Sequence, residues 1–215
     1  MQTFSKNAPM PVIRRLPKYR KYLEELLEEG IMKVSSKELS DRMGSTASQI
    51  RQDLNYFGGF GQQGYGYNVS ELIDIIDDIL AVKRTYKSII LGAGNLGRAI
   101  VNYITSLESG TEIKAIFDID YNKAGTLINN IPVYHNSALK EYTASHKIDI
   151  AILTVPKSSG LMAAKQVVQN GVKAIWNFST VDLLLDIEED IVVENVSINE
   201  SFYVLTYLLS ERLDG

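Results

Sequence analysis

Ser88-Ile-Ile-Leu-Gly-Ala-Gly-Asn-Leu-Gly97, running on into Arg98-Ala-Ile-Val101, is the stretch whose reading decides the fold. A short apolar strand is followed by the spacing Gly92-x-Gly94-x-x-Gly97 and then by a helical pattern starting near Leu96. Gly92 allows a tight turn, Gly94 lets the main chain approach a pyrophosphate without a Cβ clash, and Gly97 lets helix and strand pack closely. With Ala93, Asn95 and Leu96 filling the motif, the helix N-terminus offers free N–H groups and a positive dipole end to phosphates. Alone, such a glycine pattern is a weak signal.

The second strand of the unit ends in Phe117-Asp118, and Asp118 lies 21 positions after Gly97. That is about the distance expected for a carboxylate that accepts hydrogen bonds from an adenosine ribose and disfavours a 2′-phosphate. Asp120 competes for this role, Lys123 is placed to soften the discrimination, and the plain alternative is that Asp118 only ends a strand. Two further strand ends, Thr154-Val155-Pro156 and Asn177-Phe178-Ser179, are expected to line the same crevice, because ligands bind outside the C-terminal ends of parallel strands. Asn177 reads equally well as a satisfied turn residue.

Around this motif, KSIIL, IKAIF, DIAILTV and AIWNF alternate with helical stretches from Tyr86 onward, which predicts βα units and a parallel sheet; DIVVENV is a weaker strand candidate. The tail NESFYVLTYLLSERL is helical in period but apolar nearly all round, from Phe202 to Leu209. A helix without a wet face needs cover on several sides, and a second copy of the chain is the simplest cover.

Upstream the pattern differs. Pro9, Pro11 and Pro17 predict an extended arm that enters a helix near Leu16–Lys18. Tyr19, Leu23, Leu26 and Leu27 recur at helical spacing up to Gly30. Ser35-x-x-Glu38 reads as a capping box opening a second helix ended by Gly44, and Thr46-x-x-Gln49 opens a third over 46–57. On that third helix Ala47, Ile50, Leu54 and Phe57 share one face, with Ser48, Arg51, Gln52 and Asn55 mostly on another. The glycine- and aromatic-rich run GGFGQQGYGYNV reads as a tight β-hairpin. Ser70 then caps a fourth helix, expected to act as a spacer. Three short helices and a hairpin are the order of a winged helix-turn-helix, whose second helix of the pair enters the major groove.

Charge supports that order. Residues 1–68 carry ten Lys/Arg against seven Asp/Glu, whereas residues 69–215 carry twelve against nineteen. A basic arm before an acidic remainder suggests one module that meets a polyanion, although a solvated basic tail has the same signature. Arginine suits guanine, and glutamine or asparagine suits adenine, by bidentate hydrogen bonding. The candidate base readers are therefore Ser48, Gln49, Arg51, Gln52 and Asn55, with Tyr56 beside them. Arg14, Arg15, Lys18 and the hairpin residues Gln62, Gln63 and Tyr65 are candidates for phosphate or minor-groove contact.

Composition narrows the chemistry. The chain has no cysteine, so disulfides, thiol nucleophiles and Cys-based metal sites are excluded. Only His135, in a stretch read as a loop or edge, and His146, at a polar helix end, remain for imidazole chemistry. No metal is expected. No apolar run approaches the roughly 20 residues of a membrane span, and the start MQTFSKNAPM lacks the apolar run of a secretory signal, so the expected location is the cytoplasm.

Taken together, SQIRQDLNYFGGFGQQGYGYNV, LGAGNLGRAI, FDIDYNKAG, IPVYH, AILTVP and IWNFS resemble the Rex family of redox-sensing transcriptional repressors, from Leu16 to the tail helix. The resemblance implies an α/β chain with a winged-helix DNA-binding domain and spacer helix (1–82), a Rossmann-like NAD(H)-binding domain (83–196) and a C-terminal helix swapped into a partner (197–215). It implies a homodimer that binds a palindromic double-stranded DNA operator and releases it when NADH binds, with NADH and NAD+ as cofactor and no catalytic residue. It also implies a coupling role for Arg98 and Tyr103. The sequence departs from the family pattern in having Gln52 and Gln62-Gln63 where basic residues are frequent, and Ser197 where an acid is usual. Two other classes fit the glycine motif: a small NAD-dependent dehydrogenase with a helical appendage, and a CoA- or nucleotide-binding scaffold whose N-terminal unit docks protein.

Overall fold

In the computed structural model, which describes residues 8–58, 66–106, 110–183 and 190–214, the proline-rich arm is not fully extended. Met10–Ile13 forms one helical turn, α1, because Pro9 precedes it in extended backbone and Pro11 occupies an early position where its missing N–H costs nothing. α2 (Leu16–Glu28) buries Leu16, Tyr19, Leu23 and Leu26 and ends where Gly30, at φ +77°, lets the Ile31 N–H return to the Leu26 carbonyl. β1 (Lys33–Val34) leads into α3 (Ser36–Met43), opened by the full reciprocal capping box of Ser35 and Glu38 and closed by left-handed Gly44.

α4 (Ala47–Asn55) starts where the Thr46 hydroxyl accepts from the Gln49 N–H, and it stops at Tyr56, short of the glycines. β2 (Tyr67–Asn68) pairs antiparallel with β1, so the second arm of the glycine-rich run joins the segment between α2 and α3. Most of the run itself, with Phe60, Gln62, Gln63 and Tyr65, lies outside the described residues. α5 (Val69–Leu80) is capped by Asn68, whose side chain accepts from the Glu71 N–H, and not by Ser70, which sits inside the first turn. Leu72, Ile75 and Ile76 of α5 join Val12, Tyr19, Leu39, Ile50, Leu54 and Phe57 in one core. The chain divides into two compact units, and this is the first, residues 1–83.

The second unit, residues 84–215, contains a seven-stranded sheet among its described residues. Its elements are β3 (Tyr86–Leu91), α6 (Asn95–Ser106), β4 (Thr111–Asp118), β5 (Leu127–Ile128), β6 (Ile131–His135), α7 (Leu139–Ser145), β7 (Ile150–Leu153), α8 (Lys157–Gln169), β8 (Ala174–Asn177), β9 (Val192–Asn195) and α9 (Ile198–Asp214). The order β5-β6-β4-β3-β7-β8-β9 is parallel except at the β5–β6 hairpin. Without that short edge strand it reads 3-2-1-4-5-6, the doubly wound dinucleotide-binding order.

Alternation along the strands sends Ile89, Leu91, Phe117 and Leu153 to one face, against Leu139 of α7 and Ala164 and Val167 of α8. Ile90, Ile116, Val133 and Ile152 go to the other face, against Val101 and Ile104 of α6. Near-continuous apolar strands are what a sheet covered on both faces requires. The order reverses between β3 and β7, and there the C-terminal ends of neighbouring strands diverge and leave a crevice.

Candidate functional site

The glycine turn follows directly from β3. Gly92 has φ +108°, and a Cβ there would lie 2.9 Å from Thr154 Oγ1 on the neighbouring strand end. That hydroxyl donates to the Leu91 and Gly92 carbonyls at 3.1 and 2.9 Å, so Thr154 fastens the turn to β7. A Cβ at Gly97 would sit 2.0 Å from the Gly92 carbonyl oxygen, which fixes glycine where α6 passes the turn. At Gly94 a Cβ would meet nothing within 4 Å. Space therefore opens over Gly94, next to the first turn of α6, whose leading N–H groups have no partner within the helix.

Asp118, at the end of β4, is buried and faces this turn. Its Oδ2 accepts from the Ala93 N–H at 2.7 Å and from the Lys123 ammonium at 2.9 Å, and its Oδ1 accepts from the Asp120 N–H at 2.9 Å. Burial works to raise its pKa. The Asp120 N–H, the Lys123 ammonium and the Ala93 N–H together outweigh burial and hold the carboxyl below the usual carboxylate range.

A cleft of about 690 Å³ lies over these groups, within the size range of cofactor sites. Gly92, Gly94, Phe117, Asp118, Thr154, Val155 and Pro156 line it. Ala93 contributes its N–H to Asp118 from a buried position, and Asn95, Leu96 and Gly97 form the adjoining first turn of α6.

Asn177 and Phe178 are not among the lining residues. Asn177 is 1% exposed and saturated: its amide donates to the Val181 carbonyl and to Asn195, and its oxygen accepts from the Ser179 N–H and hydroxyl. These bonds satisfy Asn177 within its own turn and with Asn195. Phe178 stacks edge-on with Trp176, on the α6 side of the sheet.

Asp120 and Lys123, weighed beside Asp118 from the sequence, also line the cleft, and residues that the sequence did not single out complete it: Ile119 after β4, Asn136 after β6, and Ser159, Met162 and Gln166 on α8. Asn136 donates to Gln166 at 3.1 Å, tying the β6 end to α8. The available signal was positional. Asn136 directly follows a strand, and Lys157-Ser-Ser-Gly160 puts small residues at a helix start next to the crevice. IPVYH is a sheet strand, not a loop, and His135 is half-buried, stacked on Tyr121 and hydrogen-bonded to Ser137 and the Ile119 carbonyl. His146 is exposed, and neither histidine lines the cleft. Among the described residues, no cluster of His, Asp and Glu could hold a metal ion, and no helix is long and apolar enough to cross a membrane.

In the first unit α4 buries Ile50 and Leu54, with Phe57 following, and exposes Ser48, Arg51, Gln52, Asn55 and Tyr56; Gln49 is half-buried at the cap. Gln52, Asn55 and Tyr56 line a groove shared with Pro9, Pro11 and Val12 of the α1 region. Arg51 donates to the Ser36 hydroxyl at 2.9 Å and remains exposed.

Arg15 and Lys18, both expected to meet phosphate, are engaged within the unit. Arg15 grips Asp53 of α4 through Nε and Nη2, both at 2.7 Å, because Asp53 is 3% exposed and needs a counter-charge. The Lys18 ammonium donates to the Met43 carbonyl at the end of α3, at 2.8 Å, where a cation suits the helix C-terminus. Arg14 is exposed on the arm.

Comparison with known proteins gives the same division. A family model described as a CoA binding domain matches residues 83–181, and one described as a putative DNA-binding protein N-terminus matches residues 7–55. The redox-sensing transcriptional repressor Rex of Thermoanaerobacter sp. is 50% identical over 94% of this chain and 90% of its own length. The crystal structure of RSP in complex with β-NAD+ and operator DNA is 49% identical, covers 95% of this chain and 93% of its own, and has a TM-score of 0.88. The crystal structure of RSP in complex with β-NADH is 45% identical, covers 96% of each chain, and has a TM-score of 0.87.

Proposed function

Because the chain belongs to the family of the redox-sensing transcriptional repressor Rex, we propose that it binds a palindromic DNA operator as a homodimer and releases it when NADH fills the cleft. As a member it is a DNA-binding regulator in the cytoplasm with NADH and NAD+ as its cofactor, not an enzyme. The observation that carries the reading is that the likeness to an operator-bound repressor runs through both units, so α4 and the cleft come together in one chain.

The cleft residues fit a dinucleotide. Gly94 leaves open space where a pyrophosphate needs close approach, the first turn of α6 supplies N–H donors, and Asp118 has acceptor capacity left for a ribose hydroxyl. Leu91, Ile119, Val155 and Met162 give apolar walls for a flat base. The bound cofactor supplies a charge difference, since the nicotinamide ring is neutral when reduced and positive when oxidised.

With Asn177 and Phe178 outside the cleft, groups of a second subunit complete the nicotinamide end. α9 brings that subunit. Phe202, Tyr203, Leu205, Tyr207, Leu208 and Leu209 are all more than half exposed on one chain, and an apolar helix of this kind is stable only when covered.

On DNA, Arg51, Gln52 and Asn55 read base edges, with Ser48, Gln49 and Tyr56 beside them, while Arg14, Gln62, Gln63 and Tyr65 meet the backbone or the minor groove. Arg15 and Lys18 act indirectly, by fixing α4 and α3. A two-fold dimer engages half-sites spaced by whole turns of about 34–36 Å, so any closure that changes the separation of the two α4 helices breaks simultaneous contact. Moving the population from mostly bound to mostly free requires NADH to prefer the released arrangement by roughly 10⁴-fold.

Gel shifts test the proposal, using a palindromic duplex selected from random DNA by the chain itself. NADH is expected to dissolve the complex and NAD+ to preserve it. A complex indifferent to saturating NADH overturns it.

A further inference from the structure

The pair Lys123–Asp118 sits inside the cleft and is organised in an unexpected way. A carboxylate has about four acceptor positions. Three of those on Asp118 are filled from within the chain, by Ala93, Asp120 and Lys123, which leaves a single position on Oδ1 for a ribose hydroxyl. Lys123 is itself held in place. Its N–H donates to the Asp120 carbonyl at 3.1 Å, and its carbonyl accepts from the Thr126 N–H at 3.2 Å and the Thr126 hydroxyl at 2.7 Å. Its side chain is 31% exposed against 9% for Asp118, so the ammonium borders both the carboxylate and the open cleft. Among the described residues, Lys123 is the only basic side chain lining the cleft, facing the two acids Asp118 and Asp120.

An ammonium at the tip of the second strand is also the kind of group that would accept a 2′-phosphate, since a cation near this position is how such cofactors are held in related folds. We propose that Lys123 is a specificity-determining residue: it forms a latent phosphate-binding site that Asp118 masks by holding the ammonium against the glycine turn. The cleft then rejects a 2′-phosphorylated nucleotide because its one cation is already taken, not because it presents a bare carboxylate. A phosphate entering here would have to detach the ammonium from a 2.9 Å bond while facing two carboxylates. The inference rests on the reading that the cleft takes a dinucleotide, and it adds the group that sets which dinucleotide.

The test is a four-member cycle of the full chain: wild type, Asp118→Asn, Lys123→Met and the double variant. Calorimetric titration with NADH and NADPH, and with 5′-AMP and 2′,5′-ADP, follows the ribose end with and without the nicotinamide. Asp118→Asn is expected to raise affinity for NADPH and 2′,5′-ADP, relative to NADH and 5′-AMP, by about tenfold or more, the scale of one charge-assisted hydrogen bond. Lys123→Met is expected to bring no such gain, and the double variant is expected to lose it.

Asp118→Ser removes the carboxylate and leaves no amide oxygen to hold the ammonium, so the same gain is required of it if Asp118→Asn brings none. A gain in neither variant, or one that survives Lys123→Met, overturns the inference. Failure of the wild-type chain to bind NADH would instead overturn the dinucleotide reading.

Discussion

Asp53→Ala is the most searching perturbation of the first unit, because one buried carboxylate ties α4 to α2 and to the arm. Asp53 accepts the two Arg15 bonds and a third from the Tyr19 hydroxyl at 2.5 Å. The network pushes the Tyr19 phenol well above its usual range, first by burial and then through the hydrogen bond to Asp53. Truncation leaves the Tyr19 hydroxyl, on a side chain 1% exposed, without its acceptor, at a cost of about 1–3 kcal/mol.

The Arg15 side chain is 33% exposed and regains water, so its share is closer to the ~1 kcal/mol of a solvated pair than to the ~3–5 kcal/mol of a fully buried one. The total is about 2–4 kcal/mol, which lowers a urea midpoint by roughly 1–2 M at ordinary slopes. Circular dichroism of the full chain reads the loss, with fluorescence of Trp176, the single tryptophan and a residue of the second unit, as reference. The network makes a sharper demand as well: once Asp53→Ala is in place, adding Tyr19→Phe should cost nothing or restore stability, because the stranded hydroxyl is gone. A loss below about 1 kcal/mol for Asp53→Ala, or strict additivity of the two changes, would refute the reasoning.

Three other outcomes follow from the second unit. Gly97→Ala should destabilise by at least the ~1–3 kcal/mol of overpacking, since its methyl would lie 2.0 Å from backbone oxygen, whereas Gly94→Ala should leave thermal stability nearly intact and weaken NADH binding at least tenfold; thermal melts and NADH titration separate the pair. Asp118, with its folded pKa held below the unfolded value near 3.9, contributes stability that is present above that value and lost as pH falls through the folded one. The stability gap between the wild type and Asp118→Asn in urea should therefore be constant from neutral pH to about pH 5 and shrink below it; a gap that widens on acidification contradicts the assignment. Leu205→Glu with Leu208→Glu on α9 should convert a dimer to a monomer in light scattering, because each chain would bury two like charges in the shared apolar contact.

Much of this fold was legible because its signals are local and chemically specific. The capping box at Ser35, the strand–turn–helix around Gly92 and the acid at Asp118 each state a backbone need that few residues satisfy. The β5–β6 hairpin was missed although it carries a signal of its own. Asn129 and Asn130, at φ 49° and 64°, form a two-residue turn of the kind that favours asparagine, and the flanking Leu127-Ile128 and Ile131-Pro132 are its arms. Pro132 hid the hairpin, since proline argues against a central strand but is tolerated near a strand's start, as here, where the pairing of β6 with β4 begins only at Val133. The arm was misread for a related reason, because prolines that break a helix interior are accepted in its first turn.

The site was only half legible, and the cause is physical: sequence displays charge but not which charges are already paired. Arg15, Lys18 and Lys123 look alike in a list of basic residues. The fold gives Arg15 to a buried carboxylate and Lys18 to a helix end, and it leaves Lys123 shared between Asp118 and the cleft. The same holds for Asp118, read as a carboxylate waiting for a ribose and found with three internal donors. Ligand selectivity at such a site depends on the acceptor position that remains after the chain has satisfied itself, and two of the three internal donors to Asp118 are main-chain N–H groups that no side-chain substitution removes.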